Sequence, residues 1–239
     1  MDARVYNWIE NALYALYPPT CVLCGSQGAP DRDLCPGCAA DLPRNTNPCR
    51  RCAEPLPTGA PPGALCARCL RSPPDFDCCS APYLYGPPAD WLIGRLKFRA
   101  HLAHGRVLGT LLGDHLAGLD GPRPELIVPM PLHRARLRER GFNQAVELAR
   151  PVGRRLGIPV ALDLVQRVRP GQPQSALERS RRRANVRGAF AVQRPLEAFH
   201  VAIVDDVLTT GASAGELAGT LRRAGAERVE VWVVARTPP

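Results

Sequence analysis

Apolar positions change rhythm several times along the chain. Val5, Trp8, Ile9, Ala12, Leu13 and Leu16 share one helical face and predict an amphipathic helix over residues 1–17, stopped by Pro18 and Pro19. Residues 18–75 contain few long apolar runs. Beyond them, strand and helix patterns alternate. APYLYG (81–86), ELIVPMP (125–131), VALDLVQRV (160–168), GAFAV (188–192), HVAIVDD (200–206) and RVEVWVVAR (228–236) predict strands. ADWLIGRLKF (89–98), LAHGRVLGTLLGDHLAGL (102–119), FNQAVELARPVGRRLG (142–157) and SAGELAGTLRRAGA (213–226) predict helices, with Pro151 expected to kink or split the third. The polar, arginine-rich residues 169–186 read as a loop. Strands alternating with helices predict a parallel α/β sheet with helices on both faces.

Composition sharpens the division. The 239 residues are 45% hydrophobic, enough for one ordinary domain and a small module. Proline is densest ahead of Ala89, which sets a loop-rich N-terminal part against a more regular remainder. The expected organisation is a helix at 1–17, a small module at 18–75 and an α/β domain at 80–239. No run reaches the ~18 apolar residues that a membrane span needs. The first residues contain acids and lack a basic start and a cleavage site, so a cytoplasmic protein is expected. The N-terminal helix reads as a docking helix or as a membrane-surface anchor.

The net charge is +9, and Lys97 is the only lysine. Between Arg134 and Arg187 there are 14 arginines against four acids, a patch suited to phosphates on a small ligand or on nucleic acid. Aromatic residues are scarce there, only Phe142 and Phe190 falling in or beside it, which disfavours a base-stacking platform.

Eight cysteines form four C-x-x-C pairs: Cys21/Cys24, Cys35/Cys38, Cys49/Cys52 and Cys66/Cys69. This spacing lets two thiolates converge on one ion from a tight turn, and Zn²⁺ takes four in a tetrahedron. Two structural zinc ions paired in sequence order are the first expectation; one zinc, or a cross-braced pairing, are the alternatives. A disulfide framework is weak without a secretory signal. Cys78 and Cys79 read as buried thiols. With so little apolar sequence, residues 18–75 are expected to draw folding energy from metal.

The stretch IVDDVLTTGAS (203–213) runs an apolar strand into two carboxylates and then into hydroxyl residues and a glycine. Strand ends of open α/β sheets bind ligands. Asp205 and Asp206 suit a sugar diol. Thr209, Thr210, Gly211, Ala212 and Ser213 lead into a helix N-terminus, where N–H groups and the dipole favour a phosphate. Ser213 could equally form a capping box with Glu216. Neither G-x-x-x-x-G-K-[ST] nor G-x-G-x-x-G occurs, which excludes a P-loop nucleoside triphosphatase and disfavours a dinucleotide fold.

VAIVDDVLTTGAS (201–213) resembles the phosphoribosyl diphosphate (PRPP) motif of type I phosphoribosyltransferases. From Cys21 to about Arg236 the chain resembles the ComF family, linked to competence and DNA uptake. The resemblance rests on the cysteine pairs, LKF (96–98), VPMPLHRARLRERGFNQA (128–145), QSALERSRRRANVRGAF (174–190) and the PRPP motif, in that order. It implies a type I phosphoribosyltransferase-like parallel sheet flanked by helices, with a small N-terminal zinc-ribbon module. It further implies that Asp205 and Asp206, the catalytic pair, bind the ribose hydroxyls directly or through Mg²⁺, and that residues 209–213 hold the 5′-phosphate. The diphosphate would fall to the 129–131 loop with His133, Arg134 and Arg136, and to Arg140. Asn143 either joins them or caps a helix. Lys97 takes the family's lysine position or is a surface lysine. Gln174, Arg179 and Asn185 would lie on a closing loop. The implied activity is Mg²⁺-dependent transfer of phosphoribosyl from PRPP, or a related ribose phosphate, to an unnamed acceptor. The alternative is a non-catalytic binding protein that contacts single-stranded DNA or a helicase in DNA uptake.

Overall fold

The computed structural model describes residues 18–170 and 186–238. The predicted helix at 1–17 and the residues Gln174, Arg179 and Asn185 lie outside them. In chain order the elements are α1 (Pro36–Ala40), α2 (Ala67–Arg71), β1 (Cys78–Ser80), β2 (Tyr83–Leu84), α3 (Ala89–Arg99), α4 (Leu102–Ala117), β3 (Leu126–Pro129), α5 (Arg134–Arg140), α6 (Gln144–Leu156), β4 (Val165–Arg167), β5 (Phe190–Val192), β6 (His200–Leu208), α7 (Ala212–Arg223) and β7 (Arg228–Arg236).

A parallel sheet lies at the centre, ordered β1–β7–β6–β3, with β2 also on β7. Its two long strands, HVAIVDDVL and RVEVWVVAR, are rich in β-branched residues and buried on both faces, as parallel strands must be. Alternation divides the core in two. Val201, Ile203, Val229 and Val231 face α7 through Ala214, Leu217 and Leu221. Ala202, Val204, Trp232 and Val234 face α3, α4 and α6 through Leu92, Leu108 and Leu148. Helices therefore cover both faces, as expected.

Several expectations are corrected. The predicted strand 81–86 is only the short β2 (Tyr83–Leu84), and a separate strand, β1, precedes it at Cys78–Ser80. The run at 160–168 touches the parallel sheet only through a bridge between Val160 and Ile127, and beyond it this run and the one at 188–192 leave that sheet. They pair antiparallel as the ribbon β4–β5, Gln166 opposite Ala191. Residues 144–156 form one helix, and Pro151 does not split it. Pro151 is buried against α4, where the backbone comes so close that a Cβ on Gly109 would lie 2.9 Å from both Leu148 O and Pro151 Cγ. Packing at a glycine thus holds the helix together across its missing hydrogen bond. An additional helix, α5, occupies residues 134–140.

The cysteine segment wraps the sheet edge. Leu84 N–H donates to Pro43 O (2.8 Å), and Arg44 bridges Tyr83. Cys21, with Leu34 and Leu42, joins the core on the α4 face; Cys49, Cys52, Cys66 and Cys69 join the core on the α7 face. The two halves of the segment therefore sit on opposite sides of the sheet. Among the described residues no helix is long and apolar enough to cross a membrane.

Candidate ribose-phosphate site and tetracysteine centres

The thiols gather as Cys21, Cys24, Cys35, Cys38 and as Cys49, Cys52, Cys66, Cys69, the sulfurs of each group all within 4.8 Å of one another. A tetrahedron with Zn–S bonds of about 2.3 Å has edges of about 3.8 Å. Cys24 and Cys35 sulfurs stand 3.8 Å apart, and Cys52 and Cys66 sulfurs 3.7 Å. Backbone N–H groups support the thiolate charge: Cys38 N–H donates to Cys35 Sγ (3.4 Å) and Cys66 N–H to Cys49 Sγ (3.2 Å). α1 and α2 begin directly after Cys35 and Cys66, which turns the second cysteine of each pair back toward the first. All ten cysteines are free of disulfides. Both centres fit a structural zinc ion, paired in sequence order. Cys79 is buried on β1, and burial pushes its thiol well above the ordinary value; Cys78 is pushed up to about 11 for the same reason.

β6 continues to Leu208, two residues past the predicted end, so Asp205 and Asp206 lie within the strand. Consecutive strand residues point to opposite faces. Asp206 falls on the face of α3, and Lys97 Nζ of α3 stands 2.7 Å from its Oδ2. Lys97 is therefore tied to the carboxylate pair and is not a plain surface lysine. Burial alone would lower its pKa, but Asp206 holds it above the ordinary value. Asp206 Oδ1 accepts from Val207 N–H (3.0 Å), and its buried Oδ2 is held by Lys97. Asp205 falls on the other face, and its charge acts on Arg167 at the end of β4. Burial, and then the neighbouring Asp206, raise the Asp205 carboxyl to about 8, against the pull of Lys97. The pair therefore resists carrying two negative charges without a cation.

After β6 the chain turns at Gly211, whose φ of +79° is the left-handed region that glycine enters freely. Gly211 is the N-cap of α7 and Thr210 Oγ1 accepts from Ala212 N–H (3.4 Å), so the capping box expected of Ser213 does not form. Glu216 instead accepts from Gly188 N–H (2.8 Å). The N–H groups of Thr209, Thr210 and Gly211 make no hydrogen bond to another described residue. Residues 209–213 are all half-buried, forming a donor-rich turn without an acid. A cavity of about 360 Å³ opens beside it, between Thr210 and Ala212 on one side and Arg68 on the other.

The segment after β3 runs alongside: Met130 N–H donates to Val204 O (2.8 Å). α5 then carries Arg136 and Arg140. The Arg140 guanidinium feels both carboxylates and donates to Gln144 (3.0 Å). Arg136 acts electrostatically on Arg140 and Arg167 and pairs with Glu139 (3.5 Å). Asn143 is a helix cap: Oδ1 accepts from Ala145 N–H (3.0 Å), while Nδ2 holds Met130 O (3.0 Å). His133 caps α5 in the same way. Three arginines escaped sequence reasoning: Arg167, facing Asp205, and Arg68 and Arg236, which bind the backbone of the turn. Arg167 and Arg236 each left a weak signal, a cation closing an apolar run, and Arg68 left none.

Known proteins resemble this chain. The double zinc ribbon domain family matches residues 12–70. The DNA utilization protein YhgH of Escherichia coli O157:H7 is 32% identical over 223 residues, 91% of this chain and 90% of that protein. Competence protein F of Haemophilus influenzae is 37% identical over 177 residues, 70% of this chain and 76% of its own length. The chain belongs to this YhgH/competence protein F family, as the sequence motifs implied. Solved structures with partial likeness include the glutamine PRPP amidotransferase of B. subtilis (TM-score 0.32, 20% identity), matched over 54% of this chain and 26% of that one. The hypoxanthine-guanine phosphoribosyl transferase of L. donovani is matched over 55% of this chain and 71% of that one (TM-score 0.32, 14% identity).

Proposed function

We propose that the chain binds PRPP at the end of β6 and transfers its phosphoribosyl group to an acceptor, releasing diphosphate. The observation that carries this reading is the juxtaposition, within nine consecutive residues, of a crowded carboxylate pair and a turn rich in donors and free of acids. Thr209 to Ser213 would hold the 5′-phosphate through N–H and hydroxyl groups, and Asp205 and Asp206 would meet the ribose hydroxyls. An incoming nucleophile forms a bond to ribose C1 as the C1–O bond to diphosphate breaks, and the leaving group departs with the electron pair. Arg140, which feels both carboxylates, would offset its charge, with Arg136 beside it.

The carboxylate oxygens are hard ligands that suit Mg²⁺, and the crowding of the buried Asp205 carboxyl against Asp206 supports that fit. Mg²⁺, when bound, would supply charge neutralisation of the diphosphate. Lys97 holds Asp206 Oδ2 meanwhile, which keeps the pair from standing uncompensated. The test is calorimetric titration with PRPP, with and without Mg²⁺, followed by a screen of nucleophiles for diphosphate release. Absence of PRPP binding sinks the reading.

A second reading is supported by one observation: the fold brings Phe98 to Arg140, which the sequence separates. Phe98 is 73% exposed and Trp91 42% exposed. Arg140 lies over the Phe98 ring at 5.6 Å and Arg95 over Trp91 at 4.8 Å. Such pairs suit single-stranded nucleic acid, in keeping with the relatives' DNA-related names. Anisotropy with a labelled single-stranded oligonucleotide tests it; equal affinity in Phe98→Ala would count against it.

A further inference from the structure

The turn that faces the proposed phosphate is held from behind. Arg236, at the end of β7, is 3% exposed. Its Nη1 donates to Leu208 O (2.9 Å) and Thr209 O (2.7 Å), and its Nε donates to Cys52 O (3.0 Å). Arg68 lies between Cys66 and Cys69 on α2, and its Nη1 donates to Thr210 O (3.1 Å). The Glu54 carboxylate ties both guanidiniums together, 3.2 Å from Arg236 and 3.5 Å from Arg68. Three successive carbonyls, 208 to 210, are thus drawn toward the Cys49/Cys52/Cys66/Cys69 centre. In a trans peptide the N–H points opposite to the carbonyl that precedes it. Fixing these carbonyls aims the N–H groups of Thr209, Thr210 and Gly211 the other way, and these are the groups without a partner among the described residues.

The first tetracysteine centre is differently placed. Its neighbouring arginine, Arg32, pairs with Asp31 (2.8 Å) and Asp114 (3.1 Å) on the α4 side of the sheet. Among the described residues no bond joins it to the turn.

We propose that Arg68 and Arg236 are positioning residues that make the second zinc centre, and not the first, a working part of the phosphate-holding turn. Metal at the second centre fixes Cys52 and the Cys66–Cys69 helix, these fix the two arginines, and the arginines fix which side of the turn offers donors. Its effect on affinity rests on the PRPP reading above; the tie between centre and turn does not. By linkage, ligand in the turn must in return retain the second zinc.

The experiment uses the full-length protein with zinc bound, comparing Arg68→Ala, Arg68→Lys and, beside the first centre, Arg32→Ala. Arg68 is part-exposed, so its truncation leaves the fold able to form. Hydrogen exchange of the peptide covering 209–213 should speed up in Arg68→Ala, partly recover in Arg68→Lys and stay at the wild-type rate in Arg32→Ala. PRPP with Mg²⁺ should bind Arg68→Ala about tenfold more weakly, the weight of one charge-assisted hydrogen bond. PRPP should also slow chelator-driven loss of one of the two zincs in the wild type, and slow neither in Arg68→Ala. Unchanged exchange at 209–213 in Arg68→Ala, or equal protection of both zincs, overturns the proposal. Faster exchange in a protein whose wild type does not bind PRPP removes the PRPP reading and leaves the tie between centre and turn standing.

Discussion

Lys97 Nζ stands 2.7 Å from Asp206 Oδ2, joining the protein's single lysine to a carboxylate that is almost wholly buried. Removing one partner of such a pair leaves the other charge uncompensated. Asp206→Asn and Lys97→Met should each destabilise the fold by about 2 kcal/mol, below the 3–5 of fully buried pairs because Lys97 keeps some water contact. Their double variant should recover much of the loss. Denaturant unfolding in a double-mutant cycle measures the coupling; additive losses would show that the pair contributes nothing.

Asp205 gives a pH dependence with a definite sign. Its carboxyl titrates at about 8 in the folded chain, above the ~3.9 of an unfolded aspartate. The folded chain therefore holds the extra proton between those values. Asp205's contribution to stability is full below pH ~4 and is lost as pH rises through about 8. Ligand binding runs the opposite way, since a cation bound at the pair needs the proton gone. Affinity for PRPP with Mg²⁺ should rise between pH 6.5 and 8.5. Calorimetry across that range should show the rise in wild type and a flat, weak profile in Asp205→Asn.

Legibility followed how local each feature is. β6, the turn and α7 come from one contiguous stretch, and the apolar run, the paired acids and Gly211 announced them together. The C-x-x-C pairs were equally local, and their sequence-order pairing stands. α5 was missed because RARLRER has no buried residue and so no apolar face to mark it. The β4–β5 ribbon was misassigned because an apolar run announces a strand without naming its partner. Arg236 and Arg68 reach the turn from 27 and 142 residues away, so nothing near them in sequence marks their targets. Phe98 and Arg140 are likewise neighbours only in the fold.

The placement of the cysteine centres alters what metal removal should do. Folding driven by metal in residues 18–75 alone would leave the sheet untouched. Cys49, Cys52, Cys66 and Cys69 instead share a core with Val201, Ile203 and Val231. Purified protein should carry two zincs per chain. Chelation should lower the cooperative melting temperature of the whole α/β body as well as loosen the ribbons, because the binding energy of structural zinc is folding energy. Metal analysis with near-ultraviolet dichroism of the core Trp232 reads both effects. A sheet that melts at the same temperature without metal would contradict this.

The α4–α6 contact predicts a packing effect far from the site. Cβ atoms at Gly105, Gly109 and Gly113 would fall 3.1, 2.9 and 3.1 Å from atoms of Leu96, of Leu148 and Pro151, and of Arg155. Gly109 meets a backbone oxygen, which cannot move aside. Gly109→Ala should therefore cost about 1–3 kcal/mol by overpacking. Gly113→Ala meets only the flexible Arg155 stem and should cost less. Urea unfolding of the two variants gives the order, and the reverse order would show that the helices are free to part.

Arg167 provides the last prediction, because it lies in the site without having been marked by any motif. Burial lowers its pKa, and the Asp205 charge works against that fall. The attraction is mutual, so Arg167 must favour the ionised form of Asp205. Its guanidinium also lies 5.6 Å from the Phe190 ring centroid and donates to Arg169 O (3.3 Å), which holds it at the end of the ribbon. Arg167→Gln removes the charge while keeping a polar side chain. Without it the Asp205 proton should be held more tightly, moving the midpoint of the PRPP–Mg²⁺ pH profile upward by about half a unit to one unit, as for loss of one nearby opposite charge. Affinity at pH 7 should fall several-fold, and affinity at pH 9 should fall less, because there Asp205 is ionised in both proteins. A uniform loss at every pH would make Arg167 a direct phosphate ligand. An unchanged midpoint together with unchanged affinity would remove it from the site.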